Sequence, residues 1–133
     1  MCSQPSKPQV QQTVPLLLVE DISRSREFYC DGLGFQQTDQ WEQNGQLAWC
    51  WLQHGGAALM LQQAEESDPP AEMRGKGVTF YFLCEDVDVL YADLVQRGTD
   101  ATQPSVAYYG MKQTLLTDPD GYSLCFESRV GDP

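Results

Sequence analysis

The sequence repeats its own structural punctuation at a shift of 65 residues, and this repeat restricts the folds that the chain can adopt. Glu20-Asp21 aligns with Glu85-Asp86, and each pair follows an apolar run and precedes a helical pattern. Gly56 aligns with Gly121, and each glycine opens an apolar strand pattern after a turn. Few of the aligned residues are identical, so the evidence lies in the order and spacing of the pattern. The chain is therefore predicted to hold two copies of one structural unit.

Each copy has the pattern of a strand, a helix and three further strands. Asp21 can accept hydrogen bonds from the free amides at a helix start. Val87, Leu90 and Leu94 give the second helix an apolar face, and Gly98 is a typical helix stop. The first copy is predicted to have strands over 14–19, 35–42, 46–53 and 57–63, with a helix from Asp21 to about residue 30. The second copy is predicted to have strands over 78–84, 101–105, 111–117 and 122–128, with a helix over 87–96.

The repeat predicts one α+β domain over residues 13–128, made of two βαβββ modules. The first module covers 13–64 and the second covers 77–128, and the segment 65–76 between them is acidic and contains Pro69-Pro70, as linkers often do. The polar, proline-containing residues 1–12 are predicted to form a flexible N-terminal arm, and residues 129–133 a C-terminal tail.

The charge of the chain excludes some partners. The formal net charge is −11, from 19 acidic and 8 basic residues. Such a surface repels phosphate backbones, so no nucleic-acid partner is expected. The same charge keeps a protein soluble, and it can also steer a cationic ligand toward the surface.

Apolar runs and cysteines bear on the location of the protein. No run approaches the roughly 18 apolar residues of a membrane span, and no signal peptide opens the sequence, so no membrane partner is expected. Five cysteines, Cys2, Cys30, Cys50, Cys84 and Cys125, are scattered singly without a CxxC pair. An odd number in this arrangement is typical of reduced thiols. We therefore expect a cytoplasmic protein.

Four segments together resemble a known family. "LLLVEDISRSREFYCDGLGF", "GGAALML", "FLCEDVDVLYADLVQRG" and "TDPDGYSLCFE" are, in this order, similar to the vicinal oxygen chelate superfamily. That superfamily includes glyoxalase I, extradiol dioxygenases, fosfomycin-modifying enzymes and bleomycin resistance proteins, and this sequence most resembles the bleomycin-resistance-like branch. The resemblance implies two βαβββ modules whose curved mixed sheets enclose a cavity. It also implies a homodimer.

The resemblance implies four positions for metal ligands, and their residues argue against a metal. Laid on this sequence, these positions are Val14, Met60, Thr79 and Cys125, and the repeat maps the first pair onto the second. Divalent metals need several oxygen or imidazole donors that converge on one point. We therefore expect no metal, no cofactor and no catalytic residue. A displaced metal site built from Cys125 and Glu127 is the alternative, whereas the single histidine, His54, is expected to be a solvated turn residue.

Strand pairing predicts which residues share the face of those positions. If Thr117 and Tyr122 pair across the turn that separates them, Thr114 lies opposite Cys125 and Lys112 faces Glu127. Transferred through the repeat, the same register places Trp49 opposite Met60 and Trp51 opposite Ala58. The predicted cavity is therefore lined by Trp49, Trp51, Met60, Thr79, Tyr81, Thr114, Cys125 and Glu127, with Tyr109 at the rim. Alternatively the two tryptophans fill the core; Trp41 cannot be placed.

Three functions fit these residues. The leading hypothesis is metal-free sequestration of a small planar ligand, a cationic one included, because a tryptophan-rich cavity suits flat rings and cations. The second is a metal-dependent lyase, isomerase or dioxygenase with an atypical site. The third is a module that binds a metabolite or a protein without catalysis.

Overall fold

The first half of the chain forms one module. The computed structural model describes residues 8–130, so Cys2, part of the predicted arm and most of the predicted tail lie outside it. Strand β1 is followed by helix α1, which continues into a π-helical turn at Phe28–Gly32, and then by three strands. The bounds are β1 Leu16–Val19, α1 Ile22–Glu27, β2 Gln36–Gln43, β3 Gln46–His54 and β4 Ala57–Gln63.

The second half repeats this order after a short 3₁₀ turn at Ala71–Met73. Its elements are β5 Thr79–Leu83, α2 Val87–Gln96, β6 Ser105–Val106, β7 Met111–Thr117 and β8 Ser123–Arg129. The sixth strand was predicted at 101–105, and this position is wrong. Thr102 instead forms two hydrogen bonds with Leu115 of β7 outside a regular strand pairing. Its hydroxyl accepts from the Leu115 amide, and its own amide donates to the Leu115 carbonyl.

The strands form two four-stranded mixed sheets, with the orders β1-β4-β3-β2 and β5-β8-β7-β6. The first strand of each module pairs in parallel with the last strand, and all other pairs are antiparallel. The predicted α+β class with two tandem βαβββ modules is confirmed. No helix in the part of the chain that the structure describes is long and apolar enough to cross a membrane.

Local sequence signals set the helix starts and one hairpin. The side chain of Asp21 accepts hydrogen bonds from the amides of Ser23 and Arg24, as the sequence predicted. Asp86 caps α2 in the same way, 65 residues later. Between β2 and β3, Asn44 and Gly45 both have positive φ angles of 53° and 78°, as a type I′ turn requires.

Each sheet packs its helix against one face, and the other face is partly exposed, with Cys125 and Glu127 of the second sheet buried there. The buried side chains of the first sheet include Leu17, Leu52, Leu59 and Leu61, and those of the second include Leu116, Leu124 and Phe126. Side chains at alternate positions on the same strands point away from the core. We call the two faces that carry no helix the open faces.

The two modules pack through their helix-bearing sides. Phe35 of the first module contacts Phe82 of the second with ring centroids 5.9 Å apart, and Phe82 stacks on Phe126 at 4.9 Å. The turn before β8 contacts the π-helical turn that follows α1, where the Tyr29 hydroxyl donates to Asp118 at 2.7 Å. Because the helix-bearing sides meet, the open faces of the two sheets are turned away from each other.

An arginine of the inter-module segment ties the modules together. The Arg74 guanidinium lies 3.0 Å from the Glu20 carboxylate and 3.5 Å from the Asp120 carboxylate. Asp120 also accepts hydrogen bonds from the Glu20 amide at 2.8 Å and the Ser25 hydroxyl at 3.2 Å. The turn between β7 and β8, which contains Asp120, is therefore also a polar contact between the modules.

Candidate functional site

The open face of the first sheet carries all three tryptophans of the chain. Two rows of paired residues cross this face. The first row is Leu16–Met60–Trp51–Asp39, and the second row is Leu18–Gln62–Trp49–Trp41. We call these eight residues the tryptophan face. Trp41, which the sequence could not place, lies directly opposite Trp49.

The tryptophans of this face do not belong to the core. Trp41 is 56% exposed, and Trp49 and Trp51 are half-buried, whereas Cys50 and Leu52 between and beside them are fully buried. The Trp51 indole nitrogen donates to the Gln53 side chain at 2.9 Å, which fixes the orientation of the ring. The alternative in which these rings fill the core is therefore not supported by their exposure. They form an apolar surface with an acidic edge at Asp39.

The open face of the second sheet is organised by Glu127. Its two main rows are Tyr81–Cys125–Leu115 and Leu83–Glu127–Gln113, and Thr79 pairs with Ser123 in the next row. We call these eight residues the acid face. A cleft of about 750 Å³ opens at the Thr79 end, where Tyr81, Gln113 and Leu115 line it together with the segment 97–100.

Four side chains make a polar cluster on the acid face. The Tyr109 hydroxyl donates to the Glu127 Oε2 atom at 2.7 Å, and the Gln113 amide donates to the same atom at 3.2 Å. The Gln113 amide also lies within hydrogen-bond distance of the Cys125 sulfur, at 3.4 Å. Tyr109, Cys125 and Glu127 were expected from the sequence to share a cavity, and the structure brings these three together.

Two groups in this cluster, the Tyr109 phenol and the Cys125 thiol, have raised pKa values. The hydrogen bond to Glu127 is the main reason that the pKa of Tyr109 is raised to about 12. Burial, with the charge of Glu127 as the next cause, raises the pKa of the Cys125 thiol to about 11. At neutral pH the cluster therefore holds a neutral phenol and a neutral thiol.

The predicted register of the β7–β8 hairpin is wrong by one position. Thr117 pairs with Ser123 rather than with Tyr122, so Leu115 lies opposite Cys125. Thr114 consequently faces the buried side, where its hydroxyl donates to the Thr102 carbonyl, and it does not line the open face. Gln113, rather than the predicted Lys112, lies opposite Glu127.

The predicted register of the β3–β4 hairpin is wrong by two positions. Trp51 lies opposite Met60 and Trp49 opposite Gln62, whereas the sequence placed them opposite Ala58 and Met60. A shift of two positions keeps each side chain on the same face, so both tryptophans still share the face of Met60.

The residues at the four metal positions that the resemblance implies do not fit a divalent metal. Val14 offers only a hydrocarbon side chain, Met60 a thioether and Thr79 a neutral hydroxyl, and Cys125 is a single buried thiol. In residues 8–130, no three His, Cys, Asp or Glu side chains are grouped so that they could hold a metal ion. The alternative of a site displaced onto Cys125 and Glu127 has no third donor of this kind within the described chain. No metal-dependent step follows from these residues.

The predicted cavity residues fall into two groups on different sheets. Trp49, Trp51 and Met60 lie on the tryptophan face. Thr79, Tyr81, Cys125 and Glu127 lie on the acid face, with Tyr109 hydrogen-bonded to it. Within one chain the two groups do not form one cavity, because the modules pack by their helix-bearing sides. Asp39, Trp41 and Gln113 were not assigned to a site from the sequence. The repeat and the alternation of side chains along β2 and β7 nevertheless indicate which face they occupy.

Comparison with known families decides the identity of this fold. The profile of the Glyoxalase/Bleomycin resistance protein/Dioxygenase superfamily matches residues 9–126. The chain belongs to this superfamily. This assignment agrees with the resemblance of the four sequence segments. No curated protein matches the sequence.

Solved structures of this superfamily share the fold of the chain at low sequence identity. A bleomycin-binding protein in complex with bleomycin is 20% identical, with a TM-score of 0.70 over 91% of this chain and 100% of that one. TnmS3, an antibiotic binding protein from Streptomyces sp. CB03234, is 20% identical, with a TM-score of 0.69 over 91% and 98%. A glyoxalase-related enzyme from Clostridium phytofermentans is 18% identical, with a TM-score of 0.72 over 92% and 97%.

Proposed function

We propose that this protein binds and sequesters a small planar ligand without a metal. The observation that carries the proposal is the tryptophan face, on which Trp41, Trp49 and Trp51 lie outside the core. Flat rings stack well on such a surface. The bleomycin-binding protein in complex with bleomycin and the antibiotic binding protein TnmS3 have the same fold, which supports ligand binding as the function proposed for this chain.

We further propose that the ligand lies between two copies of the chain. The open faces are turned away from each other within one chain, and both expose large apolar side chains. Those most exposed are Leu16, Trp41, Tyr81, Leu83 and Leu115. In a homodimer, the tryptophan face of one copy covers the acid face of its partner, and a cavity forms between them. Exposed apolar patches of this kind commonly mark such contacts.

A cytoplasmic location belongs to the same proposal. Cys30, Cys50, Cys84 and Cys125 are free thiols, as expected where disulfides do not persist.

Tryptophan fluorescence tests the proposal directly, because all three tryptophans of the chain lie on one face. A library of planar and non-planar small molecules is titrated into the protein in the presence of chelator. We expect planar molecules to quench the fluorescence in a saturable manner, with one site per chain in a dimer. Binding that appears only after a divalent metal is added, with turnover of the ligand, would instead favour the metal-dependent enzyme.

A further inference from the structure

Glu127 is a buried carboxylate without a cationic partner. Its side chain lies on the acid face, and the residue is 6% exposed. The ion pairs of the described chain are formed by Arg74, Arg97 and Lys112, and none of them involves Glu127. Arg129, the next residue on the same side of β8, is exposed and forms no ion pair within residues 8–130.

Only one oxygen of this carboxylate is used. Tyr109 and Gln113 both donate to Oε2, and no described residue donates to Oε1. In the described part of the chain, Arg74 Nε is the one fully enclosed side-chain polar atom that has no hydrogen-bond partner. Glu127 Oε1 also has no hydrogen-bond partner within the described residues, but it is not fully enclosed, so it retains some solvent exposure.

This arrangement favours a positively charged donor. A carboxylate that has lost most of its water is stabilised most by a charged hydrogen-bond donor, because charge-assisted bonds are stronger than neutral ones. The side chains paired with Glu127 across the strands, Leu83 and Gln113, are uncharged. An anionic ligand group would meet a second negative charge at the same point.

We propose that Glu127 Oε1 anchors a protonated nitrogen of the ligand, and that the ligand class is a flat aromatic cation such as an aminoacridinium or an amidinium-bearing ring. The inference rests on the proposed function, because the ring of the ligand stacks on the tryptophan face while its nitrogen reaches Glu127. Tyr109 and Gln113 hold the carboxylate through its other oxygen, Oε2. The net charge of −11 attracts the same class of molecule at long range.

Two flat probes of matched shape test this proposal on the full-length protein. At pH 8 proflavine is a cation and acridine is neutral, and the affinity of each is measured by isothermal titration calorimetry. We expect the wild type to prefer proflavine by about tenfold or more, the usual effect of one charge-assisted hydrogen bond. Glu127→Gln keeps the shape and the acceptor for Tyr109, and it should remove this preference while the affinity for acridine changes by less than about twofold.

Two further variants separate the anchor from general electrostatics. Glu27→Gln removes one negative charge from an exposed position on α1, outside both open faces, and it should leave the preference for proflavine intact. Glu127→Asp keeps the charge and should retain part of the preference. A preference that is lost in Glu27→Gln and kept in Glu127→Gln, or that is simply unchanged in Glu127→Gln, overturns the role of Glu127.

The two probes distinguish a failure of the Glu127 anchor from a failure of the proposed function. If both probes bind equally well and quench the tryptophan fluorescence, the proposed binding of planar ligands is supported and the role of Glu127 as a cation anchor is rejected. If neither probe binds up to millimolar concentration, both proposals are rejected. A wild-type preference for the neutral probe rejects the cationic class.

Discussion

Tyr109 donates its hydroxyl hydrogen to the Glu127 Oε2 atom across 2.7 Å, and this bond links the turn before β7 to the last strand of the protein. It is the main reason that the pKa of Tyr109 is raised to about 12. A phenol that donates to a carboxylate resists ionisation, because its loss of a proton would bring two negative charges together.

Removal of that negative charge should lower the pKa of Tyr109. In Glu127→Gln the phenol keeps an acceptor but no longer faces a carboxylate, so it should ionise at a lower pH than in the wild type. NMR of protein labelled with ¹³C at the tyrosine Cζ atom follows each phenol, and Tyr109→Phe assigns the signal. The same Tyr109 titration in wild type and Glu127→Gln would show that the bond does not exist in solution.

The thiols of Cys50 and Cys125 should resist alkylation in the folded protein. Burial is the main cause that raises the pKa of each to about 11 from the usual 9.0, so almost no thiolate is present at pH 8. Peptide mapping after brief iodoacetamide treatment should find both residues unmodified. The guanidinium-unfolded chain is the control, in which both should react fully; rapid modification of either in the folded protein would contradict its burial.

The same thiols make stability depend on alkaline pH. The unfolded chain releases these protons near pH 9.0, while the folded chain holds them to about pH 11. Folding is therefore favoured fully below pH 9, and the free energy of unfolding should fall as the pH rises through this window. Urea unfolding of wild type and Cys50→Ala at pH 8 and pH 10 measures the effect. An equal pH dependence in the two proteins would rule out a contribution from Cys50.

Arg74 offers a matched comparison of a buried and an exposed ion pair. Its side chain is 6% exposed, and it contacts Asp120, whose side chain is 1% exposed, and Glu20, whose side chain is 65% exposed. Asp120→Ala leaves a buried arginine without its buried partner, and it should cost about 3–5 kcal/mol of unfolding free energy. Glu20→Ala should cost at most about 1 kcal/mol. Equal losses in urea unfolding would show that the contact between the modules is not buried in solution.

Self-association should depend on the open faces. Leu16, on the tryptophan face, and Val89, on α2, are both exposed apolar residues. Leu16→Asp should shift the protein from about twice 14.9 kDa toward the monomer mass, whereas Val89→Asp should leave the dimer intact. Sedimentation velocity at micromolar concentration measures both. A dimer that is lost only in Val89→Asp would place the interface on the helix side.

The sequence predicted the fold better than the site, and the two hairpins show why. The shift of 65 holds for the parallel pairs, since Leu16 pairs with Met60 and Tyr81 pairs with Cys125. Between the antiparallel strands it fails, because the first module turns through Gly55-Gly56 whereas the second turns through the five residues 118–122. Because the second turn is longer, the register of β7 on β8 differs by one position from the register of β3 on β4.

A register error of one position moves every side chain of a strand to the other face. This is why Thr114 was assigned to the cavity while Gln113 and Leu115 were not. The loop length depends on side-chain bonds to Asp118, which accepts from the amides of Asp120 and Tyr122 at 2.9 Å. Composition and periodicity do not reveal such bonds, whereas the caps at Asp21 and Asp86 are local signals and were readable.

Substitution of Trp49 tests most directly whether the tryptophan face binds a planar ligand. Trp49→Leu should weaken binding of proflavine several-fold, since one stacked aromatic contributes on the order of 1 kcal/mol beyond its buried area, and the fold should persist. Leu52→Ala, in the core, is the control and should cost about 2–5 kcal/mol of stability without changing the affinity of the folded protein. We expect calorimetry and urea unfolding to separate the two variants in this way. A Trp49→Leu protein that loses a few kcal/mol of stability and binds proflavine as tightly as the wild type would contradict the account.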